Sequence, residues 1–79
     1  MPSALVLINS EIGKEIDILD QLCKLPEIEE AFIVYGVYDL VAKVSADSME
    51  NLETSITTKL RRITGIRSTL TLIISRECK

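Results

Sequence analysis

The chain of 79 residues contains no histidine and no tryptophan, and only three of its residues are aromatic. Histidine is the side chain that most often acts as a general acid or base near neutral pH, and it is a frequent metal ligand. The sequence also lacks a paired carboxylate facing a cleft and any residue cluster typical of a metal site. We therefore expect no catalytic residue, no metal and no cofactor.

Cysteines and long hydrophobic runs are equally scarce. Cys23 and Cys78 are too few for a disulfide scaffold. Cys23 falls on the apolar stripe of a predicted helix, so we expect its thiol to be buried. No apolar run approaches the roughly 18 residues of a membrane span, and no charged leader precedes the first predicted strand. These features predict a cytoplasmic protein that does not bind a membrane.

Positive charge is sparse and scattered. The net charge is −3, and only Arg61 and Arg62, with Lys59 and Arg67 nearby, form a small basic group. We interpret the arginine pair as a solvated helix end that interacts favourably with the helix macrodipole. Without a basic stripe the chain lacks the electrostatic attraction behind most nucleic-acid binding. We expect no direct contact with nucleic acid.

Aliphatic residues, in contrast, are abundant. Hydrophobic residues make up 47% of a chain long enough for a single small domain. Hydrophobic periodicity predicts four strands and two helices in the order βαββαβ. The strands are expected at residues 4–8, 28–35, 38–44 and 66–75, with only Gly36 and Val37 between the second and third.

Both predicted helices carry an apolar stripe. The first is expected to end before Pro26, and the second to begin with a capping box of Asp47 and Glu50 and to end at Gly65. The stripe of the first helix consists of Ile12, Ile16, Leu19, Leu22 and Cys23. That of the second consists of Met49, Leu52, Ile56, Leu60 and Ile63.

These elements predict an α+β, ferredoxin-like fold with a four-stranded antiparallel sheet and both helices on one face. In the first strand Val6 and Ile8 point to one face, while Leu5 and Leu7 point to the other. The helices can cover only one of these apolar faces, and a bare apolar sheet face usually marks an interface. We therefore expect a homodimer formed through the sheet.

Two motifs carry a family resemblance. The hairpin reads Val34-Tyr35-Gly36-Val37-Tyr38-Asp39-Leu40, and the last strand contains Ile66-Arg67-Ser68-Thr69-Leu70-Thr71-Leu72. In this order of elements the chain resembles the RAM domain, the effector-binding half of the Lrp/AsnC family of transcription regulators. The resemblance covers nearly the whole chain, so residues 1–79 are interpreted as one RAM-like ligand-binding domain.

The resemblance implies several properties. Family members carry a helix-turn-helix before this domain, and none is seen here, so the chain resembles a stand-alone RAM protein. The family implies dimers that assemble into an octamer or decamer ring and bind a free amino acid between neighbouring dimers. It also implies a possible full-length Lrp/AsnC regulator as partner. Which amino acid binds, and the ring size, stay open.

The resemblance and the residue chemistry together indicate a binding site for a zwitterion. Asp39 would accept from the ligand ammonium, and the backbone at Gly36 and the hydroxyls of the last strand would donate to its carboxylate. The predicted ligand-binding residues are Tyr35, Gly36, Tyr38, Asp39, Thr69 and Thr71.

Each of these residues has a plainer interpretation. Gly36 is the residue that a tight turn requires, and Thr69 and Thr71 are ordinary strand formers. Tyr35 and Tyr38 suit packing at an oligomer seam. Asp39 suits a salt bridge to Arg67 or Lys43 at a subunit contact.

Three functions therefore compete. The first is an amino-acid-binding and oligomerisation module that modulates Lrp/AsnC-type regulation. The second is an assembly module without a ligand. The third, less favoured, is an enzyme with a dimeric α+β-barrel.

Overall fold

The computed structural model describes residues 1–78, which fold in the predicted βαββαβ order. The strands are β1 (Ser3–Ser10), β2 (Ile28–Ile33), β3 (Leu40–Ser45) and β4 (Ile66–Ile73), and the helices begin with α1 (Glu15–Cys23) and α2 (Met49–Thr54). After α2 the chain continues as a π-helical segment, Ser55–Lys59, and a 3₁₀ turn, Leu60–Arg62. Residues 49–62 are called the second helix below.

The strands form one antiparallel sheet in the order β2-β3-β1-β4, which confirms the predicted sheet. β1 lies in the middle and pairs with β3 and β4. Residues directly opposite each other in an antiparallel pair share a face. The register therefore fixes which side chains meet the helices.

The hydrophobic core lies between one face of the sheet and the two helices. Every second residue of β1 and β3 is buried on that face, in agreement with the predicted alternation. The helices supply the other half of the core. The buried apolar residues are Ala4, Val6, Ile8, Ile18, Leu22, Leu40, Ala42, Val44, Leu52, Leu60 and Ile63.

The first helix is shorter than predicted, and part of its predicted stripe is wrong. It begins at Glu15, after Gly13 turns the chain with a φ of 80°. Ile12 therefore lies in the preceding loop and Ile16 on the outer side of the helix, and both are exposed. Ile18 and Leu22, four residues apart, face the sheet. Cys23 follows Leu22 by one residue, about 100° around the helix, so it is exposed and not buried as expected.

The second helix is capped one residue later than predicted. Ser48, not Asp47, is the N-cap, and its Oγ accepts from the backbone N–H of Asn51 at 3.1 Å. The backbone N–H of Leu60 then donates to the carbonyl of Ser55, which is the i→i+5 bond of a π turn. The second helix ends earlier than predicted, at Arg62. Ile63 is its C-cap with an extended backbone, and Gly65, with a φ of 99°, lies in the turn before β4.

The hairpin differs from the predicted two-residue turn. Strand pairing stops at Ile33 and Leu40, so residues 34–39 form a longer connection, called the hairpin loop below. The backbone N–H of Val34 donates to the carbonyl of Asp39 at 2.9 Å and closes this loop. Gly36 has a φ of 151°, a conformation that favours glycine. This hydrogen bond and the backbone conformation of Gly36 therefore define the shape of the hairpin loop.

The opposite face of the sheet has no helix against it. A row of apolar residues crosses all four strands there, because Phe32 lies opposite Val41, Val41 opposite Leu7, and Leu7 opposite Leu70. Leu5 and Leu72 form part of the next row. Phe32, Leu70 and Leu72 are each about half exposed, at 52%, 45% and 46%. These six residues are called the open sheet face below.

Candidate functional site

Asp39 is held at one end of the sheet by its own backbone and by its side chain. Its N–H donates to the carbonyl of Ile8 at 2.9 Å, which joins the end of the hairpin loop to β1. Its Oδ2 accepts from the backbone N–H of Ser10 at 2.8 Å. The carboxylate is therefore fixed in position before any ligand arrives, which lowers the ordering cost of binding.

The Ser10 hydroxyl lies between two carboxylates. Its Oγ is 3.3 Å from Oδ2 of Asp39 and 3.1 Å from Oε1 of Glu15. A serine hydroxyl has one proton, so it donates to only one of these oxygens at a time. Oε1 of Glu15 also accepts from the N–H of Gly13 at 3.1 Å. This end of the sheet therefore concentrates negative charge around a buried serine.

A cavity of about 290 Å³ opens beside Asp39. Its lining residues include one acid, Asp39, and one base, Arg67, together with Asn9, Ser10 and Ser68. Asn9 donates from Nδ2 to the Oγ of Ser68 at 3.2 Å, which ties β1 to β4 at its edge. We call this cavity the Asp39 pocket. It offers one group of each charge to a small molecule.

A second cavity, of about 390 Å³, lies between the second helix and β4. Arg67 and Ser68 line it as well, so it adjoins the Asp39 pocket. Its walls carry Arg61, Thr69 and Thr71 beside several aliphatic side chains. Thr69 and Thr71 lie opposite Ile8 and Val6 in the sheet register, which places them on the helix-covered face. We call this cavity the helix groove.

The structure distributes the six predicted site residues over three places. Asp39 lines the Asp39 pocket, and Thr69 and Thr71 line the helix groove. Tyr35 and Gly36 are exposed in the hairpin loop, with Tyr38 half-buried in the same loop. One chain therefore brings Asp39 close to the last strand but does not bring the tyrosines or Gly36 into either cavity. Their assignment to a ligand site stays a prediction.

The sequence reasoning did not assign Ser10, Glu15 or Arg67 to the site. Ser10 continues the inward series of alternate residues that begins at Ala4, so the period of the strand could have identified it. Arg67 lies where the register of β1 with β4 shifts, between the pairs Asn9–Ser68 and Ser10–Ile66, so the strand period alone does not place it. The position of Glu15 relative to the site depends on where the first helix begins, and the hydrophobic periodicity does not determine that residue.

The salt bridge considered for Asp39 is not formed with Lys43 in this chain. Lys43 Nζ instead lies 2.9 Å from Glu77 and 3.6 Å from Glu29. The hydrogen bond from Lys43 to Glu77 is the main cause that raises the pKa of Lys43. A hydrogen bond from Ser45, with the nearby charge of Lys43, lowers the pKa of Glu29.

Two features are absent from residues 1–78. No group of three or more histidine, cysteine, aspartate or glutamate side chains is arranged to hold a metal ion. Within the same residues, no helix has the length and apolar character needed to cross a bilayer.

Comparison with known proteins identifies the domain. A family model described as the Lrp/AsnC ligand binding domain matches residues 3–79. The chain belongs to this family. A Pyrococcus abyssi HTH-type transcriptional regulator is 36% identical to this Lrp/AsnC ligand-binding domain over 72 residues, which are 91% of the chain and 46% of the regulator. The chain thus spans about half the length of such relatives.

Solved structures agree with the assignment. The crystal structure of a hypothetical protein from Pyrococcus horikoshii is 38% identical, with a TM-score of 0.90, and the match covers 99% of this chain and 94% of that one. A transcriptional regulator from Neisseria meningitidis, solved as a complex with L-Met, shares the fold with a TM-score of 0.86 at 18% identity. That match covers 99% of this chain and 52% of the regulator. The predicted ferredoxin-like fold of an Lrp/AsnC ligand-binding domain is confirmed.

Proposed function

We propose that this domain binds a free amino acid as an effector in transcription regulation and that it has no enzymatic activity of its own. The observation that carries the proposal is the Asp39 pocket, where the fixed carboxylate of Asp39 lies beside a second lining residue of opposite charge, Arg67. A free amino acid carries the complementary pair of charges, an ammonium and a carboxylate, on one carbon atom. The pocket is therefore matched to the part that all amino acids share.

The strength of such a site can be estimated. A hydrogen bond to a charged group contributes about 1.5–3 kcal/mol. The ammonium would bind to Asp39 and the carboxylate to Arg67, whose planar guanidinium can bind both carboxylate oxygens. Two such interactions with some apolar contact, reduced by the entropy of association, correspond to a Kd in the micromolar to millimolar range.

The comparisons support an amino acid as the ligand class. The family is described as ligand-binding, and the regulator from Neisseria meningitidis was crystallised with L-Met. The relatives in this family are transcriptional regulators. We propose that the signal reaches DNA through such a regulator, as a partner of this domain, without nucleic-acid contact by the domain itself.

A second copy of the chain completes this proposal. The open sheet face is apolar across all four strands, and a matching sheet from another copy would remove it from water. Tyr35 and Val37 in the hairpin loop, and Ile12 in the loop that follows β1, are also fully or almost fully exposed. We propose that dimers formed through the sheet meet through these loop residues in a ring. A neighbouring dimer would then bring its own Tyr35 and Gly36 toward a bound ligand.

Titration calorimetry over the twenty amino acids tests the function. We expect at least one of them to bind the wild-type protein, and Asp39→Asn to weaken that binding about 10- to 150-fold, the equivalent of one charged hydrogen bond. Asparagine can still accept from the N–H of Ser10, so the fold should be retained. Asp20→Asn, an exposed change in α1, is the matched control. Absence of binding by every amino acid at millimolar concentration would refute the proposal.

One observation favours a second candidate, an assembly module without a ligand. Oδ2 of Asp39 already accepts from Ser10, which gives this residue a structural role. If the oligomer dissociates in the Asp39→Ala variant and no amino acid binds to the wild type, the assembly function is correct. If the oligomer persists while binding is lost, the effector function stands.

A further inference from the structure

The helix groove is a cationic site in an acidic protein. The chain has a net charge of −3, yet the residues that line the groove include Arg61 and Arg67 and no aspartate or glutamate. The ion pairs formed within residues 1–78 involve Lys43 and Lys59, and none of them includes Arg61 or Arg67. A ligand with negative charge is therefore favoured in this cavity.

Threonine residues also line the helix groove and add hydroxyl groups to its walls. Thr69 and Thr71 contribute hydroxyls from neighbouring inward positions of β4. Thr57, on the opposite wall, donates its hydroxyl to the carbonyl of Glu53 at 2.8 Å. On one wall, β4 can therefore offer an anion the hydroxyls of Thr69 and Thr71 beside Arg67. On the opposite wall, the donor is Arg61.

The helical wall of the groove has an unusual conformation. Ile56 and Thr57 belong to the π-helical segment, and Arg61 follows in the 3₁₀ turn. Single π turns inside α-helices are rare and occur frequently at functional sites. Here the π turn precedes Leu60, which is buried in the core at 3% exposure, while the next residue, Arg61, lines the groove.

The groove continues from the Asp39 pocket through the shared residues Arg67 and Ser68. An amino acid whose ammonium lies at Asp39 can therefore extend its side chain into the groove. We propose that the effector is an amino acid with an acidic side chain, aspartate or glutamate, whose second carboxylate is bound by Arg61 while Arg67 binds the α-carboxylate. This inference rests on the proposed function and specifies its ligand.

Charge balance supports this ligand over the alternatives. The residues that line the two cavities include one acid, Asp39, and two arginines, a sum of +1. Glu15 lies behind Ser10 and lines neither cavity. A dicarboxylic amino acid has a charge of −1 and neutralises the set. A neutral side chain leaves Arg61 without a counter-charge, and a lysine side chain would place a cation beside it.

Calorimetry with five probes tests the inference: L-glutamate, L-aspartate, L-glutamine, L-leucine and L-lysine. We expect one of the acidic amino acids to bind at least about tenfold more tightly than glutamine, which has the shape of glutamate without its charge. Raising the salt concentration should reduce this preference, because the side-chain carboxylate is recognised partly by charge.

Arg61→Gln separates this inference from the proposed function. It should reduce the preference for the acidic side chain to less than about threefold, because glutamate loses a charged partner whereas glutamine loses at most one hydrogen bond from its neutral amide. Arg62→Gln, whose side chain lines a different surface depression beside Lys24, should have no effect. If glutamine or leucine binds as tightly as the acidic amino acids, the inference is wrong and the proposed function remains. If no amino acid binds, both are wrong.

Discussion

The two faces of the sheet have similar side chains and opposite surroundings. On β1, Val6 and Ile8 are completely buried, while Leu5 and Leu7 between them are only partly covered. The difference arises because both helices lie on the side of Val6 and Ile8. One face therefore stabilises the fold of a single chain, and the other can contribute its burial only when another molecule covers it.

The largest expected effect comes from placing a charge on the open sheet face. Leu7→Lys should convert the proposed dimer into a monomer, measured by size-exclusion chromatography with light scattering. Burying one leucine contributes about 1.5–3 kcal/mol. A two-fold interface contains the residue twice, so the dimer should lose about 3–6 kcal/mol.

Circular dichroism should show that the Leu7→Lys monomer keeps its secondary structure. Thr58→Lys adds the same charge to an exposed position of the second helix and should leave the mass unchanged. A Leu7→Lys protein with the mass of the wild type would show that the open sheet face is not the interface.

The neighbouring residue tests the covered face. Ile8→Ala should lower the free energy of unfolding by about 2–5 kcal/mol, because it removes a fully buried side chain and leaves a cavity. Urea unfolding followed by circular dichroism measures this loss. In the monomeric Leu7→Lys background the loss should be the same, since Ile8 packs within one chain. A loss below about 1 kcal/mol there would mean that the helix layer does not cover this residue as described.

The strands were more predictable than the helices. Side chains in a strand alternate with a period of two, so Val6 and Ile8 could be separated from Leu7 without knowledge of any other element. The buried face of a helix depends on which of its apolar residues pack against the sheet. In α1 these are Ile18 and Leu22, so Ile16 and Cys23 lie on other sides of the helix and are exposed, although both fit an apolar stripe.

The candidate site was only partly predictable for a related reason. Asp39 could be selected because a carboxylate beside a hairpin is conspicuous in the sequence. Its neighbours depend on the register of β1 with β4, which shifts between Asn9 and Ser10. Such an irregularity leaves no clear trace in the sequence, so the contribution of Arg67 became visible only in three dimensions.

Gly65 tests how the second helix is held over the covered face. Its φ of 99° is unfavourable for any other residue, and an added Cβ would lie 3.0 Å from the Cβ of Lys14. Gly65→Ala should therefore destabilise the fold by about 1–3 kcal/mol. Gly13→Ala is the matched control, because its φ of 80° is also positive but no atom lies within 4 Å of an added Cβ. Equal losses in the two variants would show that backbone strain alone is responsible and that the contact with Lys14 contributes nothing.

The smallest expected effect on stability comes from two carboxylates at the end of the sheet opposite the Asp39 pocket. Hydrogen bonds from Lys59 to Glu27 and from Ser45 to Glu29 lower the pKa of each glutamate. The unfolded chain therefore binds more protons than the folded chain in this range, and stability rises with pH there. The contribution is complete above the ordinary glutamate pKa of about 4.3 and is lost as the pH falls through the lower folded pKa values.

Urea midpoints between about pH 6 and pH 3, measured in the Leu7→Lys monomer, should show this acid-side loss, which begins near the ordinary glutamate pKa. Ser45→Ala removes the main cause of the Glu29 shift, so this variant should lose less stability on acidification than the parent. NMR titration of the Glu29 side chain gives the same answer directly, because its pKa should move toward the ordinary value when Ser45 is replaced. An unchanged Glu29 pKa in Ser45→Ala would mean that this hydrogen bond does not hold the carboxylate in its charged form.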